Sequence, residues 1–258
     1  MVSAIILAGG RGKRMGKNIS KQYILVNKKP VLYYTIKRFL ECESIDNIVL
    51  VLPKDEIDYC KREVLDKYSL KVDKIVEGGA ERQDSVYNGL KSLEKTDIVL
   101  IHDGARPFVS KRVIEEGISN AIKYGAAAPG VIPKDTIKIK DENSLSKETL
   151  NRSELVAVQT PQVFKLELIK QCHEKVKQEK KVVTDDTMVV ENYGYKVFLY
   201  EGEYTNIKIT TPEDLVIAEY LSKWYCNIDI NLLRRYNVIK FYEFKLWWRI
   251  VEVAYSER

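Results

Sequence analysis

The chain has 258 residues, 45% hydrophobic and 31% charged, with a formal net charge of +5. That is ample material for a buried core, and cations so interleaved with acids lack the concentrated stripe of a general nucleic-acid binder. Only two histidines, His102 and His173, and four cysteines without metal-like or disulfide-framework spacing exclude a histidine-rich metal site.

The apolar run "SAIILA" (3–8) predicts a buried strand. "PVLYYTIKRFLEC" (30–42) predicts a helix, with Leu32, Ile36, Phe39 and Leu40 at helical spacing and Pro30 near its start. "NIVLVLP" (47–53) is a second strand, and "DEIDYCKREVLDKY" (55–68) a second helix with Ile57, Cys60 and Val64 on one face. A strand over 74–79 ends in glycines, and a helix follows over 82–93. The strand of "DIVLIHDGARP" (97–107) runs into a polar turn; a helix over 110–125 and a strand over 126–133 follow. Beyond 133 the pattern alternates apolar and polar, with "DENS" as a turn, and predicts an antiparallel ribbon over 134–164. The remaining expectations are a helix over 165–178, strands over 195–202 and 206–210, and a closing helix over 211–224. Thr211 is placed to cap that last helix, Pro212 to occupy its first position, and Glu213 and Asp214 to face the positive end of its dipole.

Alternating strands and helices, with strands that read as continuous β-branched runs, imply a Rossmann-like, mostly parallel sheet covered by helices on both faces. Ligands of such sheets bind beyond the carboxyl ends of the strands. AGGRGKR, EGGAERQDS and HDGARP all fall at such ends, so three polar loops are expected to meet at one crevice. A lone ribbon is marginally stable in water, and a second subunit is expected to support the 134–164 arm. Residues 1–222 read as one domain and 223–258 as an aromatic and basic extension holding all three tryptophans. The extension reads as an extra helix packed on the domain or a partner, as an interfacial membrane helix, or as an appendage outside the domain. Met1 leads directly into a strand-like run without a leader pattern, and no apolar stretch approaches the roughly 20 residues of a membrane span. A cytoplasmic protein without stable membrane insertion is expected.

The chemistry is densest in "LAGGRGKRMGKNISKQY" (7–23). Glycines after a strand let backbone approach a ligand, and their N–H groups can cradle phosphate oxygens. The stretch is neither a P-loop nor a dinucleotide fingerprint: GxGxxG from Gly10 ends in Met15. What remains is a glycine turn with Arg11, Lys13, Arg14, Lys17 and Lys21, either a triphosphate site or a solvated basic turn. Asp103 in "HDGARP" is an Mg²⁺ ligand, a partner for substrate hydroxyls, or part of a plain β-turn; Mg²⁺ needs few protein ligands where phosphates supply the rest. Lys208, between Ile207 and Ile209, reads as solvent-facing or functional, and "VVTDDT" (182–187) equally as a helix N-cap or a hydroxyl-recognition site.

The series LAGGRGKRMG…KQY, GGAERQDSV, HDGARPF, KDTIK, NRSELVAVQTPQVF, TDD and NIKITTPEDL, in this order over roughly 2–222, resembles the 2-C-methyl-D-erythritol 4-phosphate cytidylyltransferases. The resemblance implies a nucleotidyltransferase fold in which Ala8, Gly9 and Gly10 hold CTP and Arg14, Lys21 and Lys208 are catalytic cations. It places Gly79, Ala80 and Ser85 in the cytidine loop, where family members often carry a polar residue instead of Ala80, and Gly104 beside the ribose. Asp103 matches the acid near the divalent metal and the substrate hydroxyls, and Thr184 a residue contacting the methylerythritol phosphate. Arg106, Thr136, Arg152 and Thr160 match positions that a partner subunit contributes to that pocket, and the 134–164 ribbon matches the exchanged arm of a homodimer. The implied reaction joins an acceptor phosphate to the α-phosphorus of CTP with loss of pyrophosphate. Two rivals share the motifs: a ribitol-5-phosphate cytidylyltransferase, and a non-catalytic nucleotide sensor or nucleic-acid module that keeps the fold.

Overall fold

The computed structural model describes residues 1–10 and 20–227. In chain order the elements are β1 (Val2–Leu7), β2 (Leu25–Val26), β3 (Lys29–Pro30), α1 (Val31–Leu40), β4 (Asn47–Leu52), α2 (Ile57–Cys60), β5 (Lys74–Glu77), α3 (Arg82–Lys91), β6 (Ile98–Asp103) and α4 (Lys111–Tyr124). There follow β7 (Ala126–Val131), β8 (Lys138–Lys140), β9 (Ser146–Thr149), β10 (Ala157–Val158), β11 (Gln162–Lys165), α5 (Leu166–Gln178), α6 (Asp186–Glu191), β12 (Phe198–Glu201) and α7 (Pro212–Asn227). The predicted 55–68 helix is α2 continued by a wider, π-type turn over Lys61–Asp66.

One sheet runs β10-β7-β11-β6-β1-β4-β5, with β12 on β7. β1 pairs in parallel with both β4 and β6, and β4 with β5; β10 and β11 run antiparallel to their neighbours. The mostly parallel sheet is therefore as predicted. Its strands bury both faces, and the two-residue period sorts their side chains. Ala4, Ile6, Leu50, Leu52 and Leu100 pack against α1 and α4 through Leu32, Ile36, Phe39, Val113 and Ile114. Ile5, Val49, Val51, Val99 and Ile101 pack against α3, α5 and α6 through Val86, Leu90, Ile169, Val176 and Val189. Fully burying one such aliphatic side chain stabilises by about 1.5–3 kcal/mol, and this two-sided core holds the strand ends in place. A third cluster seats α7 on β2 through Val26, Tyr34, Phe108, Ala218 and Leu221.

Gly117 shows how tightly α4 meets the sheet. A Cβ there would lie 2.6 Å from the hydroxyl of Tyr200 and 2.8 Å from Cγ2 of Val163. The Tyr200 hydroxyl passes beneath the helix to donate to the Val113 carbonyl at 2.8 Å.

Four expectations are corrected. Only β8 and β9 form the free ribbon, turning at Asp141, whose Oδ1 accepts from Asn143 N and Leu145 N; β11 joins the central sheet, where Val163 and Phe164 find apolar partners, and β10 pairs with β7 beside it. Residues 206–210 are not a strand. Past the sheet end it has no strand partner: Ile209 N donates to Ala105 O, Asn206 N donates to Glu203 O, and the Asn206 side chain donates to Thr160 O. The 195–202 strand shortens to β12, and Leu40, at the helix end, is exposed. α7 starts at Pro212 as predicted. Asp214, from inside the helix, accepts from Thr210 N and Thr211 N at 2.7 and 2.8 Å. The expectations for the 223–258 extension fall, beyond α7, outside the described residues.

Candidate active site

β6 lies on one side of β1, and β4 and β5 on the other, so the strand order reverses between β1 and β6. Open α/β sheets hold ligands at such a switch point. The chain leaves β1 through Ala8, Gly9 and Gly10, and β6 through Asp103 and Gly104, side by side: Gly104 N donates to Leu7 O at 2.8 Å.

The β1 side is built from backbone. Ala8 is buried and its N donates to Val51 O, while Gly9 and Gly10 are exposed. The buried Gln22 amide donates to Ala8 O at 2.7 Å and to Glu56 Oε2 at 2.8 Å, and Ser20 Oγ donates to Glu56 as well. This brace fixes the turn carrying Lys21, whose Cε lies 3.7 Å from where a Gly10 Cβ would stand. The loop after β5 completes the side. Gly79 N donates to Ser85 Oγ at 3.0 Å, and Ser85 Oγ donates to Glu81 O. A side chain at Gly79 would overlap Asp84, which accepts from Glu81 N to cap α3. Ala80 is exposed at the tip.

The β6 side is built from charge. Lys208 Nζ lies 2.6 Å from Asp103 Oδ2, Arg106 Nε 4.0 Å from the same oxygen, and Arg82 Nε 3.6 Å from Oδ1. Burial pushes the Asp103 carboxyl pKa up, but Arg82, Lys208 and Arg106 outweigh it and hold it well below the usual carboxylate range. Arg106 Nη1 donates to Asn206 O at 2.7 Å. Behind the cluster, burial pushes the His102 pKa down to about 4. The ring is therefore neutral near pH 7: Nε2–H donates to Arg106 O at 3.0 Å and Nδ1 accepts from Thr160 Oγ1 at 3.1 Å. Thr160 Oγ1 in turn accepts from Asp103 N. This run of bonds leaves His102 no free nitrogen for proton transfer.

Arg82 reaches a second acid. Its Nη2 lies 2.7 Å from Oδ2 of the buried Asp186, whose Oδ1 is 3.3 Å from His173 Nε2. Burial works against the charge of Asp186, but Arg82 and His173 prevail and lower its pKa. Asp185 caps α6 by accepting from Met188 N, and Gln162 Oε1 accepts from Asp186 N and Thr187 N.

A family model described as 2-C-methyl-D-erythritol 4-phosphate cytidylyltransferase matches residues 2–223. The chain belongs to this family. A 2-C-methyl-D-erythritol 4-phosphate cytidylyltransferase of Clostridium botulinum (strain Eklund 17B / Type B) is 65% identical over 221 residues, 86% of this chain and 99% of the relative. One of Clostridium beijerinckii is 65% identical over 223 residues, with the same coverage. A crystal structure of 4-diphosphocytidyl-2C-methyl-D-erythritol synthase from Anaerococcus prevotii superposes with a TM-score of 0.77 at 37% identity, covering 86% of this chain and 96% of that one. The cytidylyltransferase of Thermus thermophilus superposes at 0.70 with 30% identity, covering 85% and 98%.

Of the positions matched to the cytidylyltransferase family, the fold brings Ala8, Gly9, Gly10, Lys21, Gly79 and Ser85 together on the β1 side, and Asp103, Gly104 and Lys208 on the β6 side. Arg106 and Thr160, expected from a partner subunit, are built into this chain's own Asp103 cluster. Thr136 and Arg152 stand exposed by the arm, where Arg152 Nη1 donates to Lys134 O. Thr184 is exposed two residues before Asp186. Arg14 lies outside the described residues. Sequence reasoning missed Arg82, Asp186 and Gln22 as site residues, although ERQDSV, TDD and KQY each contain one.

The described residues hold no group of three or more metal-ligating side chains. Asp103 alone, ionised and with Oδ1 beyond hydrogen-bond reach of Arg82, fits a divalent ion that arrives with most of its ligands as phosphate oxygens. Three cations around one carboxylate would repel a bare ion.

Proposed function

We propose that the chain transfers the cytidylyl group of CTP to 2-C-methyl-D-erythritol 4-phosphate, giving 4-diphosphocytidyl-2-C-methyl-D-erythritol and pyrophosphate in isoprenoid biosynthesis. The observation that carries this reading is the Asp103–Lys208–Arg82–Arg106 cluster facing the glycine turn across the β1/β6 switch point, in a chain of this family.

An oxygen of the acceptor phosphate attacks the α-phosphorus of CTP, the bond to the β-phosphate breaks, and pyrophosphate leaves. A phosphate dianion is already a competent nucleophile, so no general base is needed, in keeping with a neutral, fully bonded His102. Catalysis is then positioning and charge stabilisation. Lys21 and Arg14 stabilise the charge that develops on the triphosphate, and Lys208 holds the attacking phosphate. Gly79 and Ser85 seat the cytosine, Gly104 the ribose, and Asp103 and Thr184 the acceptor hydroxyls. Mg²⁺, held by Asp103 and the nucleotide, supplies charge neutralisation of the triphosphate when bound.

The β8–β9 arm exposes every residue of its strands, including Ile139. We assign it to a homodimer in which Thr136 and Arg152 reach the partner's acceptor pocket. No described helix is long and apolar enough to cross a membrane, in keeping with a cytoplasmic enzyme. Ribitol phosphate is the acceptor to exclude: pyrophosphate release with CTP and each polyol phosphate in turn is expected to favour methylerythritol phosphate, and faster turnover of ribitol phosphate overturns the reading. Loss of release in Lys21→Ala separates an enzyme from a nucleotide sensor.

A further inference from the structure

We infer that Arg82 is a positioning residue of the transfer, a cationic tie that sets Asp103 against the Thr184–Asp186 turn and lets Lys208 exchange Asp103 for the acceptor phosphate. The inference rests on the reading of Asp103 and Lys208 as acceptor-side groups.

Three observations carry it. First, Lys208 Nζ sits 2.6 Å from Asp103, so a phosphate that engages this lysine competes with that carboxylate for its charge. A buried carboxylate stripped of its only cation is strongly disfavoured. Arg82 and Arg106 remain beside Asp103, so the exchange leaves it compensated. Second, the 3.6 Å between Arg82 Nε and Asp103 Oδ1 is longer than a hydrogen bond. Arg82 supplies charge without occupying that oxygen. Third, the other end of the guanidinium is fixed: Nη2 meets the buried Asp186 at 2.7 Å, and His173 and Gln162 hold Asp186 from behind. Arg82 opens α3, directly after the Gly79 loop, and so ties three elements of the site, α3, β6 and the start of α6. Planar and forked, a guanidinium presents separate nitrogens in fixed directions to two acids, a span that a compact lysine ammonium lacks.

The test uses the full chain with Arg82→Gln, Arg82→Lys, Asp186→Asn, the double variant Arg82→Gln/Asp186→Asn, and Lys208→Ala. Thermal melting is read beside steady-state kinetics for CTP and methylerythritol phosphate separately. Arg82→Gln alone strands Asp186 and is expected to melt earlier. The double variant replaces the ion pair with an amide pair and is expected to melt near the parent. Both are expected to lose about 100-fold in kcat/KM for the acceptor, the usual scale of a misplaced reacting group, with no comparable change in the KM for CTP. Arg82→Lys is expected to recover part of that loss. A double variant that melts and turns over the acceptor like the parent overturns the inference and leaves Arg82 a structural tie. Equal losses on both substrates overturn it as well. Full turnover by Lys208→Ala overturns the reading of the site itself, and the inference with it.

Discussion

The Asp103 cluster and the β8–β9 arm are opposites. Around Asp103 polar groups are held from several sides: three cations on one carboxylate, and a directed run of bonds from Asp103 N through Thr160 and His102 to the Arg106 carbonyl. The arm has no buried residue in either strand, and its one side-chain bond across the strands joins Lys138 to Thr149 in solvent. The cluster is determined by this chain alone. In the proposed homodimer, the arm acquires its purpose from a partner. A substitution in the first should be felt at once in chemistry and stability, and one in the second only through a partner.

The largest expected effect comes from Lys208→Ala. The chain should stay folded, because Arg82 and Arg106 still compensate Asp103, while kcat/KM falls by roughly 3–4 kcal/mol of transition-state stabilisation; single-turnover rates would read it. Next comes acid. The folded-state pKa of His102 lies near 4, below the ordinary value of 6.5. Between those values the unfolded chain binds the proton and the folded chain does not, so stability falls as pH drops from about 6.5 to about 4. The loss is on the order of 3 kcal/mol. The depressed carboxyls of Asp103 and Asp186 extend the loss to lower pH. Thermal melts across that range should show the slope, and His102→Asn should flatten its upper part. Third, replacing 138–149 by a short turn should leave the melting temperature near its parent value but give a monomer by light scattering, with turnover lowered about 100-fold through lost positioning. A dimeric, fully active armless chain would end the contrast drawn above. Smallest is Lys138→Ala, expected to change stability by less than about 0.5 kcal/mol, because its partner is exposed.

The frame was legible in the sequence for a physical reason. A strand buried on both faces needs an unbroken apolar run, so 3–8, 47–53 and 97–103 announce themselves and carry the loops after them to one edge. β10 and β11 were not separable from the ribbon, because alternation looks the same in a free hairpin and an antiparallel sheet strand. Lys208 was ambiguous between solvent and function until its spatial partner, 105 positions away in the chain, was known. Arg82 and Asp186 stayed hidden because a charged pair across α3 and α6 leaves no local spacing signal.

Gly117 constrains how this sequence can change. It lies mid-helix, where alanine is ordinarily favoured by about 1 kcal/mol, yet a methyl group there would strike both Tyr200 and Val163. Trimming the tyrosine to phenylalanine relieves only one of the two collisions. Drift at position 117 is thus tied to two other positions at once. Each single step towards alanine passes through a destabilised intermediate, and among relatives the three sites should vary as a set or not at all.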